Sequence, residues 1–109
     1  MHSRNPFPRR LKAARAIAGL SQKKLGVQIG IEESSASSRM NHYEKGRHVP
    51  DFDTLKRMAE ALGVPAAYFF CNDDVLAELV CLLDRLPASR LRQLTKELRN
   101  EVASSDIPK

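Results

Sequence analysis

SQKKLGVQIGIEESSASSRMNHYEKG, residues 21–46, is the stretch whose reading decides the fold. Ser21 is a good N-cap, and Leu25 and Ile29 follow at helical spacing, so a short helix starts here and breaks at Gly30. Ile31 anchors a turn. A second helix is expected from about Glu33 to Lys45, with Gly46 in the left-handed position that stops it. Its inward stripe is narrow: Ala36, Met40 and Tyr43 recur at i, i+4 and i+7. The opposite face offers Ser35, Ser38, Arg39 and His42, flanked by Ser34, Ser37 and Asn41. Four serines in five positions cost about 2 kcal/mol of helix propensity relative to alanine. Small hydroxyl side chains allow close docking into a major groove and hydrogen bonds to phosphates or base edges. The plainer alternative is a polar helix or loop that faces only water.

The first helix of the pair breaks two local rules. A capping box places Glu or Gln three residues after the N-cap, whereas this chain has Lys23 and Lys24 in the first turn. The helix dipole disfavours a cation there by about 0.3–1 kcal/mol. A DNA phosphate on the N-terminal amides, beside Gln22 and Lys23, reverses that penalty; lysines that simply point into water are the alternative. Gly26 costs about 1 kcal/mol relative to alanine inside a helix. Close approach of the next helix, which a Cβ would obstruct, explains it.

Working outward, residues 1–8 contain Pro6 and Pro8 without periodicity and read as a flexible basic arm. Arg4, Arg9 and Arg10 either touch phosphates or a minor groove, or are merely solvated. The helix before the motif is expected over about Arg9–Ala18, with Leu11, Ala14, Ile17 and Ala18 on one face and Gly19 ending it. Lys12 and Arg15 stand off that face. After the motif, Lys45-Gly46-Arg47-His48-Val49-Pro50 is a basic loop. Asp51 caps a fourth helix whose apolar face is Phe52, Leu55, Met58, Ala59 and Leu62. Pro65 opens a short helix whose Tyr68, Phe69 and Phe70 are expected to cover the core. Residues 71–109 then change character. Val75, Leu76, Leu79, Val80, Leu82, Leu83 and Leu86 form a stripe too wide for one neighbouring helix to cover. Pro87 starts a last helix with Leu91, Leu94, Leu98 and Val102 near heptad spacing. This pair either folds back on the domain or buries its surplus against another chain. A dimer is favoured, through Leu76, Leu79, Val80, Leu83, Leu91, Leu94 and Leu98.

Composition agrees. A 109-residue chain with 42% apolar residues supports one small domain, or one domain with an appendage. The net charge of +5 is unevenly spread: residues 1–70 carry 12 Lys/Arg against 6 Asp/Glu, residues 71–109 carry 6 against 7. A polyanion-binding front and a neutral back are implied. Cys71 and Cys81 show no metal-ligand spacing, no apolar run reaches membrane-spanning length, and the expectation is a soluble cytoplasmic protein without cofactor or metal. His2, His42 and His48 have no nucleophile or carboxylate at useful spacing, so an enzyme is not expected.

Two longer segments, RLKAARAIAGLSQKKLGVQIGI and RMNHYEKGRHVPDFDTLKRMAEALGVPAAYFF, resemble the Cro/phage-repressor type of helix-turn-helix protein, the XRE-like family. The resemblance covers about residues 9–70. It implies a five-helix repressor-like DNA-binding domain over 9–70; with the C-terminal pair read above over 71–109, the whole chain is expected to be all-α. It also implies that the third helix enters the major groove, usually as a dimer on a near-palindromic operator. Residue by residue, Gln22 is implied on a phosphate, and Ser37, Ser38 and His42 on bases with Arg39 and Asn41 beside them. Lys45 and Arg47 follow the backbone, and Glu44 pairs with Arg15. The interval from Gly30 to Gly46 is about four residues longer than the family pattern, about one helical turn. Gly26 and Lys24 replace the usual alanine and acid.

The expected function is therefore a sequence-specific transcriptional regulator, a repressor in its simplest form, acting on double-stranded DNA as a homodimer. An antitoxin-like or bridging protein, whose C-terminal helices bind a heterologous partner, is the alternative.

Overall fold

The computed structural model describes residues 5–105, and over them the chain is helical without a strand. Its elements are α1 (Phe7–Ala18), α2 (Gln22–Gln28), α3 (Glu33–Glu44), α4 (Phe52–Leu62), a 3-10 helix (Ala66–Phe70), α5 (Asp74–Asp84) and α6 (Ala88–Ser104). The all-α architecture matches the sequence reading, although the fifth helix is 3-10. Residues 1–4 of the expected arm, Arg4 among them, and residues 106–109 lie outside the described residues.

The core is a convergence of five elements. Leu11, Leu25, Met40, Met58 and Phe69 are its largest fully buried side chains, one each from α1, α2, α3, α4 and the 3-10 helix. Removing so much apolar surface from water at one point is what holds the short helices together, since none would be stable alone. Local signals set where each begins. Ser21 accepts from the Lys24 amide at 3.0 Å, Asp51 from Thr54 at 2.8 Å and Asp73 from Leu76 at 2.8 Å, satisfying orphan N–H groups.

Helix α1 starts at Phe7, two residues earlier than expected, so Phe7 and Pro8 belong to the domain and not to an arm. A proline is tolerated in the first turn because its missing N–H has no partner there anyway. The Phe7 ring is buried and meets Phe69 edge-on at a centroid distance of 5.1 Å.

Four residues expected on core-facing surfaces are exposed instead, Ala18 among them. Ile17 is 86% exposed, because α1 runs past the core at its C-terminal end. There Ile17 lines an open groove of about 710 Å³ with Leu62, Tyr68 and Cys81. Phe52 is exposed at the first position of α4, where the Lys56 ammonium lies 5.6 Å from its ring. Phe70 is exposed as well. A 3-10 helix has three residues per turn, so consecutive Tyr68, Phe69 and Phe70 cannot all point inward.

Arg9 and Arg10 are structural rather than candidates for DNA. The buried Arg10 donates to the Cys71 carbonyl at 2.8 Å and pairs with Asp74 at 2.9 Å, with its guanidinium 5.7 Å from the Tyr68 ring centroid. Arg9 donates to the Asn72 carbonyl at 2.6 Å and to Asp74 at 3.2 Å. Together they tie α1 to the start of α5. Beyond that clamp Ala77 is buried, and Val80 and Cys81 pack against the core. Helix α6 has no buried residue.

Candidate nucleic-acid interface

The seating of α3 begins with Gly26. A Cβ built on it would lie 2.8 Å from the Ala36 Cβ and 2.9 Å from the Ala36 carbonyl oxygen. The two helices therefore touch backbone to backbone, and the close approach expected from sequence is present. This contact fixes the middle of α2 against the N-terminal half of α3. At the other end, Gln22 donates its amide to Asn41 at 3.3 Å and to Glu44 at 3.1 Å.

Glu44 is the hub. Its carboxylate is 4% exposed and accepts from Arg15 Nε and, at 3.0 Å, from Arg15 Nη2. Arg15 Nη1 donates to the Leu20 carbonyl at 2.9 Å. The hydrogen bond that it donates to Glu44 holds the Arg15 guanidinium above its ordinary pKa, against the opposing effect of burial. A bidentate pair of this kind fixes orientation as well as energy. Helices α1, α2 and α3 are thus locked at one node, and Arg15 and Glu44 are brought together as the family resemblance implies.

With its inner face so held, α3 offers the rest of its surface to solvent. Ser37, Ser38 and Arg39 are exposed, while Asn41 and His42 are half-buried. Ser34, Ser35, Ser38, Arg39, His42 and His48 line a shallow groove of about 320 Å³. The His42 and His48 rings sit 5.2 Å apart. Lys45 and Arg47 are exposed immediately beyond the helix. Gln22, expected on a phosphate, already has its amide engaged within the protein.

Sequence reasoning missed two participants. His48, read only as part of a loop, is folded back beside His42, and nothing in the local pattern announces this. Glu33 pairs with Lys23, Nζ to Oε1 at 3.4 Å. Its signal was available, since it stands one turn ahead of Ser37 on the same ridge.

On the C-terminal pair, Leu76, Leu79 and Leu98 are exposed, at 49%, 44% and 48%. Val80, Leu83, Leu91 and Leu94 are half-buried. Val75, Leu82 and Val102 extend the exposed apolar surface. No helix among the described residues is long and apolar enough to cross a membrane.

Residues 9–75 match the model of a helix-turn-helix domain family. The crystal structure of the transcriptional regulator BswR is similar over 90% of this chain and 97% of its own, with a TM-score of 0.82 and 44% identity. Two uncharacterized HTH-type transcriptional regulators, from Sinorhizobium medicae (strain WSM419) and Rhizobium meliloti (strain 1021), are 33% identical over 61 residues. That segment is 56% of this chain and 41% of theirs, so the chain spans about two-fifths of the length of those relatives. A family match over most of the domain, joined to a Gly26-seated helix pair locked by Arg15 and Glu44, leads to one conclusion: the chain belongs to the helix-turn-helix family, as an XRE-like member.

Proposed function

We propose that this helix-turn-helix transcriptional regulator binds a near-palindromic operator as a homodimer, with α3 in the major groove, and acts as a repressor. The observation that carries the reading is the division of α3 into two faces. One face is fixed by Gly26, Gln22 and Arg15, while the other presents Ser37, Ser38, Arg39 and His42, with Asn41, which accepts from Gln22, at their margin. A helix of about 10–12 Å diameter fits a major groove about 12 Å wide. Short serines keep the backbone near the base edges, and Arg39 can present a fork to guanine. Lys23, Lys45 and Arg47 supply phosphate contacts at the flanks, where charge sets affinity and salt dependence. Occupancy alone, by excluding other proteins from the same duplex, suffices for repression.

The apolar surface on α5 and α6 supports a second copy as the partner. The same surface equally suits a heterologous protein, which keeps a bridging role as the second reading.

Selection from random DNA, read with the mass in solution, tests both. A palindromic motif and a dimer mass support the proposal; a stable heteropartner on co-purification supports the second reading. Arg39→Ala and His42→Ala are each expected to weaken operator binding by about 1–3 kcal/mol with helicity unchanged. Unaltered binding by both variants would remove α3 from the interface.

A further inference from the structure

We propose that Glu33 is a specificity residue that selects a cytosine, and that Lys23 holds it at rest in the free chain. The inference rests on the proposed placement of α3 in the major groove and adds the base that its leading turn reads.

The starting observation is a carboxylate where a DNA-binding surface should avoid one. Glu33 is the first residue of α3, and its side chain is 74% exposed. Helix α3 is pinned to α2 at Ala36, so Glu33 stands a turn ahead of that contact, at the end that enters a groove first. It shares the i, i+4, i+8 ridge with Ser37 and Asn41. Approaching two phosphate backbones, a carboxylate at this tip is repelled once Lys23, its partner in the free chain, turns away. Its presence makes physical sense if it accepts a hydrogen bond there.

The chemistry of base edges then narrows the choice. An ionised carboxylate only accepts. Guanine shows N7 and O6 in the major groove and thymine shows O4, all acceptors that repel it. Adenine places its N6 donor beside the acceptor N7, a pattern matched by an amide. Cytosine alone offers the N4 amino donor without an adjacent ring acceptor. The groove edge that suits Glu33 is therefore cytosine.

Lys23 supplies the resting state. Its ammonium lies 3.4 Å from the Glu33 carboxylate, and both side chains keep contact with water. Such a pair is easily exchanged. On DNA, Lys23 turns to a phosphate at the start of α2, and the released carboxylate turns to its base. A sequence without cytosine at that position leaves Glu33 facing acceptors, a repulsive element of the sort that gives discrimination.

The test is selection from random duplex DNA with the full chain, Glu33→Gln, Glu33→Ala and Lys23→Ala, each checked for unchanged helicity. The expected result is a motif with one cytosine per half-site that disappears in Glu33→Ala and becomes adenine in Glu33→Gln. Replacing that cytosine should weaken the parent chain roughly 5- to 100-fold and leave Glu33→Ala indifferent. Lys23→Ala should weaken all sequences alike and keep the cytosine. A motif unchanged in both Glu33 variants overturns the inference while leaving α3 as the reading helix. Loss of cytosine preference in Lys23→Ala overturns the resting-state role. A parent chain that enriches no motif overturns the DNA-reading proposal itself, and this inference with it.

Discussion

Gly26→Ala separates two opposed expectations by sign. In an ordinary helix interior the change stabilises by about 1 kcal/mol, because alanine has the higher propensity. Here the new Cβ would sit 2.8 Å from the Ala36 Cβ, 2.9 Å from its carbonyl oxygen and 3.0 Å from its Cα. Unstrained carbon contacts lie at about 3.5–4.0 Å. The obstructing atoms are backbone or a methyl fixed to it, so no rotamer change relieves the clash and α2 must move from α3. Overpacking costs about 1–3 kcal/mol, and the upper part of that range, about 2–3, applies when backbone must yield. Subtracting the propensity gain leaves a net loss of about 1–2 kcal/mol. At about 4–8 °C per kcal/mol for a small domain, the midpoint of thermal unfolding falls by roughly 4–16 °C. Circular dichroism on heating reads this directly. Adding Ala36→Gly removes the Cβ contact but not those to the oxygen and Cα, so the double variant should recover only part of the loss. A Gly26→Ala protein that melts higher than the parent would refute the backbone-to-backbone seating.

Two further perturbations probe the clamps on α1. Glu44→Gln removes the charge that faces the Arg15 guanidinium, and urea unfolding should show a loss of about 3 kcal/mol, the lower end for breaking a buried pair because Arg15 keeps some water access; a loss under 1 kcal/mol would show that the node is not electrostatic. At the other clamp, the Arg10 guanidinium, aided by Arg9, holds the Asp74 carboxyl below its ordinary range. A depressed folded pKa contributes stability above the unfolded value of about 3.9 and loses it as pH falls through the folded value. Asp74→Asn should therefore flatten the fall in thermal midpoint below about pH 4. Asp51, depressed by its Thr54 hydrogen bonds, persists in both proteins as a shared background. Superimposable acid limbs would mean that the clamp acts by shape alone.

What the sequence made legible follows the range of the forces involved. Caps at Ser21 and Asp51, and the Gly26 anomaly, depend on residues close in the chain or on one packed neighbour, and they read correctly. The inner face of α3 read correctly for the same reason, since Ala36 and Met40 are fixed by helical period. Ile17 and Phe52 were misjudged because period gives a direction but not the extent of the facing core. Arg9 and Arg10 looked like free cations because Asp74 and the Cys71 and Asn72 carbonyls that engage them lie more than sixty residues away. On the outer side of α3, the exposure of Ser37, Ser38 and Arg39 was visible from the serine run, whereas His48 beside His42 depends on a loop path that no pattern encodes.

The distribution of burial along the chain has a consequence for the order in which the molecule is made. Every residue of the buried cluster lies between Phe7 and Ala77, and the last side chain packed against it is Cys81. Once α5 has left the ribosome, nothing further is needed to close the core. Helix α6 adds no buried residue to that core. The buried core can thus be complete on a nascent chain before α6 exists, so substitutions in α6 should spare folding of the domain while those between Phe7 and Cys81 should not.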